Sequence, residues 1–349
     1  MIQKRPPWLV ASPGVPAIAI STRIRLARNI EAFPFPGRCS DDQRRDVISA
    51  VTEAAKGATA LRTAQLLMIE ALTPVDKQLL VERRLASPEF VRQAAPAALL
   101  VTPDETCSIM INEEDHLRMQ VLRPELHIDH AWSSVDELDT QLEESLQYAY
   151  SSRFGYLTAC PTNVGTGLRV SVMLHLPALV HEHKIGGVIS AVGKIGIAVR
   201  GFYGENSEAQ GHLFQVSNQV TLGRGESDII RQLQQIVGRI IDHEAKLRET
   251  LIKNAPHQIR NDVGRAFGTL KYAEILTSQE ATELLSVLLM GIDLHVFDEI
   301  DRATVSQLMI DTQPAHVQIL CGKELTTEQR DLERARIIRE RLNTRADHA

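Results

Sequence analysis

At 349 residues, with 44% hydrophobic and 23% charged side chains, the chain can bury a large core and is long enough for two domains. A net charge of -6 argues against a general nucleic-acid binder, and Cys39, Cys107, Cys160 and Cys321, far apart with no CxxC, argue against a disulfide framework or a zinc site. No apolar run reaches transmembrane length and the first residues lack a signal peptide's apolar stretch, so a soluble cytoplasmic enzyme that binds neither nucleic acid nor membrane is expected.

Residues 1–17 are rich in proline and small side chains and predict an extended arm, with Trp8 as its anchor to the body. In Ser21–Asn29, alternation puts Arg23 and Arg25 on one strand face and Ile24 and Leu26 on the other. Two like charges so placed repel unless an anion sits between them, although a solvated strand face has the same spacing. A helix is expected over residues 41–56, opened by Asp41 or Asp42. A strand over Gln65–Glu70 follows, then a helix over Asp76–Leu85 that stops near Ser87 and Pro88. Ala97–Val101 and Cys107–Ile111 read as a hairpin whose turn contains Pro103 and Asp104. Its second strand runs into Asn112, Glu113, Glu114, Asp115, His116, Leu117 and Arg118. Three carboxylates beside an arginine make either a solvated acidic turn or a paired-charge site, with His116 as a hydrogen-bonded turn residue.

Leu138, Leu142, Leu146 and Ala149 predict a helix over Asp136–Tyr150. Next comes Gly155–Met173, GYLTACPTNVGTGLRVSVM, in which small residues let the backbone approach a ligand and successive N–H groups favour an anion. With Cys160 and Arg169 it reads as a nucleophilic cysteine, a phosphate pocket or a plain structural bend. His181 and His183 lack the HExxH spacing of a zinc protease, and no metal site is expected. Val188–Val199 is a small-residue region leading into a strand, and the loop from Arg200 to Glu205 holds an arginine and a carboxylate at its ends. Leu213–Gln219 alternates as a strand and Ser227–Leu251 forms a long helix. Helices over about 258–276, 278–291, 297–312 and 326–343 fill the rest, the last opened by a capping-box pattern at Thr326–Gln329. Within it Arg330 and Arg334 share a face and Asp331 lies three before Arg334, as they also would in a solvated, salt-bridged helix.

The candidate loops contribute Arg23, Arg25, Arg118, Arg169 and Arg200. Guanidinium forks match phosphate oxygens in charge and shape. The chain has no GxxxxGK[ST], HRD or DFG, so an arginine cradle would be a third way to hold a triphosphate. Glu114 and Glu205 would then orient and deprotonate a cationic substrate. STRIRLARN, NEEDHLRMQ, CPTNVGTGLR and RGFYGE, in this order, resemble the phosphagen (guanidino) kinases over roughly residues 18–250. NVGTGLR, RGFYGE and RDLERA are similar to the bacterial branch that acts on arginine within proteins. The chain starts only twenty residues before STRIR, where metabolite kinases place a helical substrate-gripping domain; a kinase for protein-bound arginine is expected to lack it.

The resemblance implies an α+β fold: a curved antiparallel sheet flanked by helices over residues 18–252, preceded by the arm at 1–17 and followed by a small all-helical domain over 253–349. It implies ATP, with Mg2+, bound through Ser21, Thr22, Arg23, Ile24 and Arg25, through Arg118, and through Arg169, Val170, Ser171, Val172 and Met173. Arg200, Gly201, Phe202, Tyr203, Gly204 and Glu205 would complete the site. Arg84 stands where related enzymes carry a nucleotide-contacting histidine, and Phe202 and Tyr203 stand where metabolite kinases carry a further arginine. Glu114 and Glu205 would clamp the substrate guanidinium, with Cys160 beside it as a thiolate that orients charge. Arg330, Asp331, Leu332, Glu333, Arg334 and Ala335 would form a phosphoarginine pocket that tunes activity. The implied partners are arginine-bearing protein substrates, a zinc-binding activator protein, a Clp-type protease and a second copy in a homodimer. The implied outcome is the marking of proteins for proteolysis and inactivation of a heat-shock repressor. The alternatives are a kinase for a small guanidino metabolite and a phosphoarginine-binding regulator without catalysis.

Overall fold

The computed structural model describes residues 6–9, 18–201 and 210–343. Its strands are β1 (Ala19–Arg28), β2 (Gln65–Met68), β3 (Ala98–Val101), β4 (Cys107–Ile111), β5 (Leu117–Pro124), β6 (Tyr150–Ser151), β7 (Gly155–Tyr156), β8 (Leu168–His175), β9 (Ile197–Arg200) and β10 (Leu213–Asn218). Eight of them form an antiparallel sheet in the order β2-β3-β4-β5-β1-β8-β10-β9, while β6 and β7 pair with each other. The helices are α1 (Asp41–Gly57), α2 (Pro74–Glu82), α3 (Pro88–Val91), α4 (Ile128–Glu143), α5 (Pro177–His181), α6 (Ile185–Gly193) and α7 (Glu226–Asn254). After them come α8 (Pro256–Tyr272), α9 (Ser278–Asp293), α10 (Arg302–Asp311), α11 (Pro314–Cys321) and α12 (Thr327–Asn343).

Residues directly opposite on neighbouring strands share a face, so the register sorts the sheet into two sides. Ile24, Leu26, Met119, Val121, Val170, Val172 and Val216 lie on one side, all buried, with α1, α4 and α7 packed over them. Each such side chain removed from water contributes about 1.5–3 kcal/mol. The same buried cluster continues through Ile259, Val263, Leu285, Leu288, Val305 and Ile338 of the C-terminal helices. The other side of the sheet is divided. At its β3–β4 end, Leu99, Val101 and Met110 are covered by Leu80, Val81, Leu85, Phe90 and Val91 from α2, α3 and the turn between them. Across β5, β1, β8, β10 and β9 that side is polar, and the candidate site lies there.

Several boundaries differ from the sequence expectation, each for a local reason. Ser40, not Asp41 or Asp42, caps α1, in a box with Gln43. The second helix begins at Pro74 under a Thr73–Asp76 capping box and ends at Glu82, not at Leu85. The helix expected over Asp136–Tyr150 is α4, which starts at Ile128 because Ile128, Ala131 and Val135 extend its buried stripe backward, whereas Tyr150 belongs to β6. The small-residue region after Val188 continues a helix, α6, before its strand. The helix expected over 297–312 begins only at Arg302, under Asp301 as N-cap, and Pro314 starts a further helix, α11, that the expectation did not include.

Candidate active site

The cradle is a product of register. On β1, Arg25 stands opposite Gln120 of β5 and Arg169 of β8, and Arg23 stands opposite Leu122 and Ser171. Ser21 is in line with Met173 of β8, Gln215 of β10 and Arg200 of β9, while Arg118 of β5 faces Ala27. Four strands therefore bring the five expected arginines to one face. Thr22, Ile24, Val170 and Val172, expected within the same contiguous segments, alternate onto the apolar face and are fully buried there. The two-residue period withdraws their side chains from the cradle. Gly201 follows Arg200 at the end of β9; Phe202, Tyr203, Gly204 and Glu205 lie outside the described residues.

Arg84 enters from the turn between α2 and α3, with a left-handed backbone (φ 63°) and its carbonyl accepting from Gln120 Nε2 at 2.8 Å. Its guanidinium donates to Ser21 Oγ at 3.0 Å and to Gln215 Oε1 at 3.1 Å. Arg23 Nη2 donates to the same Gln215 oxygen at 2.8 Å. Neither Gln215 nor Gln120 was among the expected site residues; each sits in an ordinary alternating strand, and only the register shows where it points.

So many cations on one face repel each other. Burial, then the charges of Arg84, Arg118 and Arg169, hold the Arg23 guanidinium well below its ordinary pKa. Burial, then Arg23, Arg118 and Arg169, does the same to Arg25, and burial lowers Arg84 to about 10. Among the described residues, the Nε atoms of Arg23 and Arg25 are buried without a hydrogen-bond partner. Buried donors without acceptors are costly, and a multiply charged oxyanion would relieve both the repulsion and the missing bonds. The donor set thus fits a polyphosphate.

The acidic run is divided between structural and presented groups. Glu113 accepts from Ser87 Oγ and from Arg118 Nη1. Burial pushes its carboxyl upward, but the Arg118 charge and these hydrogen bonds outweigh that and hold it below its ordinary pKa. Asp115 accepts from Asn29 Nδ2 at 2.6 Å and from the backbone N–H of Ala159 at 2.7 Å, and burial raises its pKa. His116 is fully buried; its Nδ1 accepts from Ile30 N–H at 3.0 Å while Nε2 lies 2.9 Å from the Pro34 carbonyl. That assigns the neutral Nε2–H tautomer, and burial pushes the ring's pKa down to about 4. Of the three carboxylates only Glu114 is exposed.

The Asp115–Ala159 hydrogen bond ties this acidic turn to the loop carrying Cys160. Cys160 is half-buried, its Sγ 3.0 Å from Thr162 Oγ1. Thr221 Oγ1 fastens the loop by donating to the carbonyls of Thr162 and Val164 at 2.9 and 2.7 Å. The glycines serve close chain crossings. A Cβ on Gly155 would meet the Gly165 carbonyl oxygen at 2.6 Å, one on Gly165 would meet that of Thr221 at 2.6 Å, and one on Gly167 would meet that of Ala27 at 2.6 Å. Of the readings open for this stretch, the glycines support the structural bend, which holds Cys160 in place. Among the described residues no group of three or more His, Cys, Asp and Glu side chains could hold a metal ion.

In the last helix Arg334 is buried, with its Nε and Nη1 both engaged. Its Nε donates to the Thr312 carbonyl at 2.7 Å, and its Nη1 donates to the Leu276 carbonyl at 2.8 Å and pairs with Asp331. Arg330 donates to the Leu325 carbonyl at 2.9 Å and to Thr327 Oγ1 at 3.1 Å. Leu332 is exposed, Glu333 pairs with Arg336, and Ala335 is buried in the helical core.

An arginine-lined sheet face beside an exposed carboxylate has the charge pattern that phosphoryl transfer requires. Residues 46–247 match the family model described as ATP:guanido phosphotransferase, C-terminal catalytic domain, and residues 256–349 match that described as Protein-arginine kinase McsB C-terminal domain. The protein-arginine kinase of Moorella thermoacetica is 45% identical over 344 residues, covering 98% of each chain. That of Halothermothrix orenii is 44% identical over 336 residues, covering 96% of each. A duplicated taurocyamine kinase from Schistosoma mansoni, solved with bound transition state analog components, superposes with a TM-score of 0.60 at 25% identity, over 70% of this chain and 35% of that one. The chain belongs to the ATP:guanido phosphotransferase family, in its protein-arginine kinase branch.

Proposed function

We propose that the chain transfers the γ-phosphoryl group of ATP to the guanidinium of arginine side chains in proteins. The observation that carries this reading is the arginine cradle, in which the Nε atoms of Arg23 and Arg25 have no partner among the described residues, beside an exposed Glu114 whose turn is tied to the Cys160 loop through Asp115. Arg23, Arg25, Arg118, Arg169 and Arg200 grip the phosphates, with Ser21, Ser171, Met173 and Arg84 completing the nucleotide site. Mg2+ would arrive on the nucleotide and neutralise phosphate charge there. An arginine guanidinium, with a pKa above about 12, has no lone pair to attack with. Glu114 and Glu205 clamp it, and one of them takes a proton as the nitrogen bonds to phosphorus and the bond to the bridging oxygen of ADP breaks. Cys160 steers the cation without forming a covalent bond. Fixed guanidiniums aimed at the in-line phosphoryl stabilise its charge without reorganisation.

On this reading phosphoarginine marks proteins for a Clp-type protease in the cytoplasmic stress response, and the enzyme works as a homodimer with a zinc-binding activator. The segment from Arg330 to Ala335 binds phosphoarginine as an allosteric signal in a helical domain beginning near residue 253. The Asp331–Arg334 pair supports this: a guanidinium entering beside Asp331 would compete with Arg334, while Arg330 meets the phosphate.

The test is incubation with ATP and either a denatured protein or free arginine, followed by mass-spectrometric mapping of acid-labile phosphate. Phosphoarginine on the protein is expected. Transfer to free arginine alone would replace this reading with a metabolite kinase.

A further inference from the structure

One carboxylate fastens the C-terminal helices to the cradle. Glu82, the last residue of α2, is fully buried. Its oxygens accept from the backbone N–H groups of Ala315 and His316 at 2.8 and 3.2 Å, and Oε2 lies 2.8 Å from His316 Nδ1. These groups form the first turn of α11, where open N–H donors and the helix dipole favour a negative charge. The start of α11 is also held from beyond, because Arg334 of α12 donates to the carbonyl of Thr312, two residues before Pro314.

Two residues after Glu82, Arg84 holds a left-handed backbone (φ 63°). That conformation costs a residue with a Cβ roughly 1–2 kcal/mol and persists only where the surroundings fix it. Here the fixing groups are known. Glu82 is seated on α11, Arg83 pairs with Glu105 at 2.7 Å, and Gln120 holds the Arg84 carbonyl. The guanidinium then reaches Ser21 and Gln215, and through Gln215 it meets Arg23.

We propose that Glu82 is a positioning residue for phosphoryl transfer: by seating the end of α2 on α11 it fixes Arg84 in the cradle, so that the C-terminal helices set nucleotide affinity. This rests on the cradle being the nucleotide site. Glu82 itself touches no substrate.

Glu82→Gln keeps the side chain's shape but turns an NH2 group toward the α11 donors. The expected result is a rise of about five- to tenfold in KM for ATP and in Kd for ADP, with kcat changed less than about twofold. Glu244→Gln is the structural control. Glu244 is equally buried and accepts from the N–H groups of Ala178 and Leu179 at 3.0 and 2.9 Å, at the start of α5. This variant should lose thermal stability without moving KM for ATP. In an Arg84→Lys background, Glu82→Gln should weaken ADP binding no further, since both act through one side chain. An equal KM shift in Glu244→Gln, or additive losses in the Arg84 background, overturns the inference. A weakened Arg84→Lys beside an unmoved Glu82→Gln overturns it while leaving the nucleotide site standing. An Arg84→Lys variant of unchanged ADP affinity overturns the placing of Arg84 in that site, and the inference with it. Should Glu82→Gln fail to fold, His316→Gln carries the same expected loss of ADP affinity, and unchanged affinity there is the overturning result.

Discussion

Arg25 of β1 stands directly across from Arg169 of β8. Like charges opposite each other on a sheet destabilise it by roughly 0.2–1 kcal/mol, and burial together with the neighbouring arginines already disfavours the Arg25 charge. Arg25→Gln should therefore raise the unfolding midpoint of the ligand-free protein while lowering kcat/KM by about 10²–10³. Thermal melts with and without ATP read both effects: nucleotide should stabilise the wild type and leave the variant almost unmoved. A lower ligand-free midpoint in the variant would refute the account of repulsion.

Glu113 and Glu114 are adjacent and should behave oppositely. Removing the Glu113 charge leaves Arg118, only 20% exposed, without its carboxylate. Glu113→Gln should cost near the lower end of the roughly 3–5 kcal/mol seen when a buried pair is broken. Glu114→Gln, on an exposed side chain, should change stability by less than about 0.5 kcal/mol, yet lower turnover by about 10²–10⁴. Denaturant titrations beside initial rates separate the two, and a turnover loss in Glu113→Gln alone would move the base away from Glu114.

His116 makes folding sensitive to mild acid. Its folded pKa of about 4 lies below the ordinary 6.5. As pH falls below 6.5 the unfolded chain takes up a proton that the folded chain refuses until about pH 4, so stability falls across that window. The full difference amounts to about 3 kcal/mol. His116→Asn should be less stable at neutral pH but lose less between about pH 6.5 and 4.5. Urea midpoints across that range would show it, and parallel slopes for the two proteins would count against the assignment.

Gly165 is fixed by what surrounds it. Its φ is 108°, and a Cβ would lie 2.6 Å from the Thr221 carbonyl oxygen and 2.9 Å from Leu222 Cα. Gly165→Ala should displace the Cys160 loop and lower stability and turnover together. Gly223→Ala has the same kind of backbone (φ 76°) with nothing within 4 Å, so it should cost only the roughly 1–2 kcal/mol of the left-handed backbone. Equal losses in the two variants would show that crowding at Gly165 is not what holds the loop.

What the sequence displayed and what it concealed follow from the range of each signal. Alternation in Arg23-Ile24-Arg25-Leu26 is local, and its two faces are as expected. The motif runs similarly announced the arginines of the cradle and the family. The acidic turn could not be resolved from composition: Glu113 and Asp115 are structural because of Ser87, Arg118, Asn29 and Ala159, which come from distant segments. Gln215 and Glu82 were concealed for the same reason, since their partners lie 131 and 233 residues away along the chain for the Arg84 and Ala315 contacts. The limits of α4 and the separate α11 are of the opposite kind, since the apolar stripe that begins at Ile128 and the proline at 314 are local signals within the sequence.

The central place of β1 has a consequence for the chain as it is made. This strand leaves the ribosome well before both of its neighbours, β5 and β8, which are encoded far downstream of it. Pairings between such distant segments form slowly, and an unpaired strand exposed meanwhile is open to wrong partners. The alternating cations of Arg23 and Arg25 repel a second copy of the same strand and so discourage nascent chains from zipping together. The charges proposed to grip nucleotide would thus also guard the strand that bears them during its wait.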